Sequence, residues 1–148
     1  MKKKAYGPPS RGVANEVRAD PDFRKLLSLC KSGRRFYAEA AEGSLDSRQS
    51  LALQKVELQR AVLALELQRW GEGAGWSLDP LIPLVRSARY EDQRILRLCE
   101  RMDQETILAY EVARARSAPG LWRALLERHL TTVLEGRAHH AALLKMSS

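Results

Sequence analysis

Three histidines, His129, His139 and His140, are the side chains best suited to metal or acid–base chemistry in this sequence. All three fall in one predicted helix, where His129 and His140 share the buried face and His139 points outward. Eleven residues separate His129 from His140, which places them about 16 Å apart along the helix axis. One metal ion cannot bind both at that distance. A divalent metal site is conceivable only where one of them meets a carboxylate, such as His140 with Glu105; otherwise both are buried, hydrogen-bonded histidines.

Other catalytic arrangements have little support in the sequence. Cys30 and Cys99 do not form a Cys-x-x-Cys pair and are expected to be small buried side chains. The sequence contains no glycine-rich phosphate loop and no nucleophile elbow, and no strand is predicted that could carry one. We therefore predict no catalytic site and no cofactor beyond the candidate metal.

Helices must position these side chains, because alanine, leucine, arginine and glutamate are abundant while aromatic residues make up only 6% of the chain. The segment Asp20-Pro21-Asp22 is a strong helix start, with an Asp cap followed by Pro at the first helical position. Glycines and prolines then divide the remainder into helical segments. The sequence predicts an all-α bundle over 21–146, with helices A (21–42), B (47–70), C (90–117) and D (120–146).

Helices A, C and D each carry one apolar stripe at helical spacing, which indicates one buried face per helix. In helix A, Gly33 lies on this face, where the missing side chain would allow a close approach from a neighbouring helix. The positions predicted to be buried are Leu26, Cys30, Gly33, Tyr37, Ala40 and Ala41 in A, Ile95, Leu98, Cys99, Met102, Thr106, Ala109, Tyr110 and Ala113 in C, and Trp122, Leu125, Leu126, His129, Val133, Gly136, His140, Leu143 and Leu144 in D.

Helix B differs because it carries two apolar stripes separated by a narrow polar wedge. A helix that is apolar nearly all round is either central in its bundle or buried against another subunit. A bundle of four helices has no central position, so we predict a homo-oligomer, with a dimer favoured. The first stripe is Ala52, Val56, Leu63, Leu67 and Trp70, and the second, predicted to form the interface, is Leu51, Leu58, Val62 and Leu65.

The connection between helices B and C covers residues 71–89 and has room for no more than a short helix, because Pro80 and Pro83 interrupt it. Nineteen residues are enough to travel back along helix B, which would make helix C parallel to it. A tight turn within 71–75 would make helix C antiparallel instead. The sequence leaves both topologies open.

With these helices placed, the chain resembles a bacterial family of uncharacterised ferritin-like four-helix bundles, known as a domain of unknown function. The resemblance covers roughly residues 24–140 and implies a ferritin-like bundle with a short helical crossover between B and C, without implying an activity. Di-iron chemistry in such a bundle needs paired Glu-x-x-His motifs, and this sequence has none. The points of likeness are Gly33, Tyr37, Ala40-Ala41-Glu42, Glu66-Leu67, Cys99-Glu100-Arg101, Tyr110-Glu111 and Glu127-Arg128.

Residues 1–20 are predicted to form a flexible basic arm, since they contain five basic against two acidic side chains and no apolar period. The net charge of +7 could favour an anionic partner. Weak, sequence-independent binding of nucleic acid through Lys2, Lys3, Lys4 and Arg11 is therefore an alternative function. No apolar run approaches the ~20 residues that span a bilayer, and no apolar segment follows the lysines as in a signal peptide, so we expect a cytoplasmic protein without a membrane partner.

Overall fold

The computed structural model describes residues 20–71 and 79–147, and within these ranges the chain forms five helices and no strand. Four helices are long and one is short. They lie where helices A to D and the short crossover helix were predicted, and α2 ends two residues before the predicted end of helix B. The helices are α1 (Pro21–Gly43), α2 (Ser47–Gln68), α3 (Leu81–Ser87), α4 (Asp92–Arg116) and α5 (Leu121–Ser147).

Side-chain caps fix the starts of the first two long helices. Asp20 accepts a hydrogen bond from the backbone N–H of Asp22, and Pro21 occupies the first turn of α1, as the sequence predicted. Asp46 accepts from the N–H groups of Arg48 and Gln49 at the start of α2. These N–H groups, that of Gln49 first, lower the pKa of the Asp46 carboxyl. The caps satisfy backbone donors that a helix leaves without partners at its N-terminus.

Each long helix is antiparallel to the long helices next to it and parallel to the one across the diagonal of the bundle. Helix α2 runs parallel to α4, because Gln49 donates to the carbonyl of Asp92 near both N-termini and Arg60 contacts Asp103 further along. The end of α2 and the start of α4 therefore lie at opposite ends of the bundle. This answers the question of direction that the sequence left open. Helix α3 packs against α1 and α4 on the way.

The apolar core forms two clusters of buried side chains along the long helices. Trp70 and Trp122 pack at one end with ring centroids 5.2 Å apart, and α3 covers the other region with Leu81, Ile82 and Val85. The predicted stripes of helices A and C and the first stripe of helix B are confirmed as buried. In α5, Trp122, Leu143 and Leu144 are only partly buried, because they lie towards the helix ends.

Within the described ranges, no helix combines the length and apolar character needed to cross a membrane. The predicted basic arm, with Lys2, Lys3, Lys4 and Arg11, lies outside the described residues apart from its last position, Asp20.

Candidate functional site

Asp103 of α4 is a buried carboxylate that contacts each of the other three long helices. It accepts hydrogen bonds from Arg60 of α2 at 2.7 Å, from His140 Nδ1 of α5 at 2.8 Å and from the Tyr37 hydroxyl of α1. Both members of the Arg60–Asp103 ion pair have side chains that are at most 2% exposed. We call Tyr37, Arg60, Asp103 and His140 the Asp103 cluster.

Arg60 fits into the core because α1 has a glycine beside it. A Cβ atom at Gly33 would lie 3.0 Å from Nη1 of Arg60, which is closer than side-chain atoms normally approach. The predicted close approach at Gly33 is therefore made by one arginine side chain. Nη1 also donates to the Thr106 hydroxyl at 3.1 Å, and the guanidinium lies 5.2 Å from the centre of the Tyr37 ring. Burial disfavours the charge, but Tyr37 and Asp103 raise the pKa of Arg60 above its usual value.

His140 completes the cluster through one of its two ring nitrogens. Its ring stacks on Tyr37 with centroids 5.3 Å apart, and Nδ1 donates to Asp103 because a carboxylate only accepts. Among the described residues, Nε2 has no hydrogen-bond partner. A carboxylate that orients an imidazole is also the arrangement of a general base. Here His140 is 1% exposed, so a substrate would have no direct access to Nε2.

A second chain of hydrogen bonds runs from the core to the surface. The Cys30 thiol lies 3.3 Å from the Tyr110 hydroxyl, which lies 2.8 Å from Nδ1 of His129, and Nε2 of His129 lies 3.0 Å from Oε1 of Glu66. Arg128 donates to the other oxygen of Glu66 at 3.0 Å. Because Glu66 only accepts, a neutral His129 donates from Nε2 and accepts from Tyr110 at Nδ1. Each polar atom of this chain then has a partner.

Burial is the largest cause of the pKa shifts of four core side chains, those of His129, Cys30, Tyr110 and Cys99. It lowers the pKa of His129 to about 4, although the Glu66 carboxylate opposes the change. Burial also raises the pKa of the Cys30 thiol and, more strongly, that of the Cys99 thiol. The pKa of Tyr110 rises well above its usual value for the same reason. At neutral pH these groups are uncharged, which suits a core position rather than a nucleophile.

The face of α2 opposite the Asp103 cluster is apolar and exposed. Leu51, Leu58, Val62 and Leu65 are 58%, 66%, 54% and 61% exposed, so the second predicted stripe lies outside the core of one chain. We call these four residues the α2 face. An adjacent groove of about 320 Å³ separates α2 from α5, and it is lined by Leu58, Gln59, Val62, Leu63, Glu66, Arg128, His129 and Thr132.

The structure does not bring the candidate metal ligands together. His129 contacts Glu66 and Tyr110, whereas the carboxylate at His140 is Asp103. Glu105 is exposed, because it lies two residues beyond Asp103 and points to another side of the helix. His139 is exposed, as predicted. Within 20–71 and 79–147, no three His, Cys, Asp or Glu side chains are close enough to hold a metal ion.

Sequence reasoning missed Arg60 and Asp103, although their spacing contained the information. Arg60 lies four residues after Val56 on the buried stripe of helix B, and Asp103 lies four residues after Cys99 on that of helix C. Helical periodicity therefore places both on buried faces. Their charge argues against burial unless each has a partner, and the partner belongs to another helix.

No protein-family model, no curated protein and no solved structure matches this chain. The resemblance found in the sequence therefore stays a prediction.

Proposed function

We propose that this protein is a non-catalytic structural or interaction protein that self-associates through the α2 face. The observation that carries the proposal is the exposure of four large apolar side chains, each more than half exposed, along one side of α2. Apolar side chains that occur singly on a surface need no explanation, but several grouped on one face of a helix are typical of a binding surface. Among the described buried charges, Arg60 and Asp103 pair with each other, and Asp79 accepts a hydrogen bond from the backbone N–H of Leu81.

The proposal includes a ferritin-like arrangement of the helices. Two features support it: the parallel direction of α2 and α4, and the connection between them that contains α3. One long crossover between the second and third long helices distinguishes ferritin-like bundles from simple up-and-down bundles. The arrangement makes α2 an outer helix, so one of its faces is left for a partner.

A charge placed on the α2 face tests self-association. We expect wild-type protein to be a dimer in light scattering, and Leu58→Arg or Val62→Arg to give a monomer, because burying an unpaired cation is costly. Leu108→Arg is the matched control, since Leu108 is 61% exposed on α4 and lies outside the α2 face. Circular dichroism and a cooperative urea transition establish that each variant is folded. A wild-type monomer at high concentration, or a Leu58→Arg dimer, contradicts the proposal.

A further inference from the structure

The α2 face belongs to a longer row of exposed residues with regular spacing. Leu51, Lys55, Leu58, Val62, Leu65 and Arg69 are separated alternately by four and three residues, and all six are exposed. This spacing defines the a and d positions of a coiled-coil seam, along which one helix packs against another. The apolar members extend over roughly 21 Å of α2, at about 1.5 Å per residue. The spacing indicates a helical partner.

Two copies can pair through one surface only around a two-fold axis, with their α2 helices either parallel or antiparallel. In the parallel arrangement each residue faces its own counterpart, so Lys55 faces the partner's Lys55 across the seam. Like charges that are held together in this way are destabilising. The charge pattern therefore disfavours a parallel pair.

The antiparallel arrangement has one register in which every a position faces a d position. Leu58 then packs against the partner's Val62 on both sides of the two-fold axis. Lys55 packs its alkyl chain over the partner's Leu65, which places its ammonium beside the partner's Glu66. Glu66 can be reached in this way because its side chain is 28% exposed at the edge of the groove. The antiparallel register thus combines apolar contacts along the row with an acidic partner, Glu66 beside the row, for Lys55.

We propose that the partner of the α2 face is a second copy of α2, antiparallel, with Leu58 against the partner's Val62 and Lys55 beside the partner's Glu66. This inference rests on the proposed self-association and adds the identity, direction and register of the partner. The axis crosses α2 level with Arg60, so the centre of the interface lies directly behind the Asp103 cluster.

Disulfide cross-linking tests the direction. Leu58→Cys protein is mixed with tagged Val62→Cys protein and oxidised; the native Cys30 and Cys99 are buried and can be retained. We expect the mixed disulfide to form in preference to either self-linked product, because a disulfide needs Cα atoms within about 7 Å. In the parallel arrangement Leu58→Cys links to itself instead, and that product overturns the proposal.

The other outcomes are also decisive. If the wild-type protein is a dimer but the cysteine variants form neither disulfide, the dimer uses another surface. That result overturns both this register and the α2 face. A wild-type monomer in light scattering overturns self-association itself. The two experiments can also be combined. If Leu58→Arg gives a monomer but Leu58→Cys links mainly to itself, only the register is overturned.

A charge reversal tests the contact between Lys55 and the partner's Glu66. We expect Lys55→Glu to weaken the dimer about tenfold at low salt, because two favourable pairs become repulsive, and the effect to shrink as salt is added. Lys25→Glu is the control, since it makes the same change at an exposed position of α1. Equal dissociation constants for the two variants would overturn the register.

Discussion

Arg60 of α2 and Asp103 of α4 form an ion pair 2.7 Å long across the diagonal of the bundle. The same carboxylate binds Tyr37 of α1 and His140 of α5, so one residue connects all four long helices. A buried charge needs its partners at fixed positions, whereas apolar contacts tolerate sliding by a turn. We infer that the Asp103 cluster fixes the relative register of the four helices.

Removal of the carboxylate should be strongly destabilising. We expect Asp103→Leu to lower the free energy of unfolding by about 3–5 kcal/mol, because Arg60 is left buried without a counter-charge. The double variant Arg60→Met/Asp103→Leu should recover part of that loss, because the unpaired charge is removed while the Tyr37 hydroxyl and His140 still lack their acceptor. Urea unfolding of the two variants and the wild type measures both effects. Equal losses in the single and double variants would show that the charge is not the cause.

The glycine beside Arg60 should not tolerate a side chain. Alanine in place of a mid-helix glycine normally stabilises by about 1 kcal/mol. We expect Gly33→Ala to destabilise instead, because its Cβ would lie 3.0 Å from Nη1 of Arg60 and displace the ion pair. Gly136→Ala is the matched control: its Cβ would lie at 3.4 Å from the Gln59 side chain, so the change should be neutral or stabilising. Thermal unfolding compares them, and a stabilised Gly33→Ala protein contradicts the prediction.

Stability should fall as the pH drops from about 6.5 to about 4. The pKa of His129 is lowered from 6.5 to about 4 in the fold, so between these values the unfolded chain binds a proton that the fold excludes. Above this range both states are neutral at His129 and it contributes no pH dependence. Across the range the loss is on the order of 3 kcal/mol.

Two histidine variants separate the effect of His129 on stability from that of the carboxylates, which also titrate at low pH. The free energy of unfolding is measured at several pH values for wild type, His129→Gln and His139→Gln. We expect His129→Gln to lose part of the slope between pH 6.5 and 4, and His139→Gln, at an exposed position, to retain it. The same slope in His129→Gln and wild type would rule out His129 as the source.

The two native cysteines should react slowly with a thiol reagent. Both are buried, and burial raises the pKa of each thiol, so the thiolate fraction at pH 8 is small. We expect labelling by Ellman's reagent at least about 100-fold slower in the folded than in the urea-unfolded protein. Leu58→Cys serves as the positive control and should label at once at its new site when the protein is dilute. Fast labelling of Cys30 or Cys99 in the wild type would show an open path to the core.

The sequence alone was sufficient for the elements and for most of the core. Caps such as Asp20 and Asp46 and the apolar period of each helix are local properties, readable from the order of residues. The same periodicity separated the two stripes of α2, and the structure finds one buried and the other exposed. The helix-C carboxylate beside His140 is Asp103 and not the candidate Glu105, since helical spacing defines a face only approximately.

Only the tertiary structure decided which buried polar groups meet. Arg60 and Asp103 are far apart in the chain, and each would be unfavourable in the core without the other. Their pairing depends on the parallel direction of α2 and α4, which no local pattern in the sequence specifies. The sequence therefore determines the helices and their apolar faces, while the partners of its buried charges emerge only when those helices pack together.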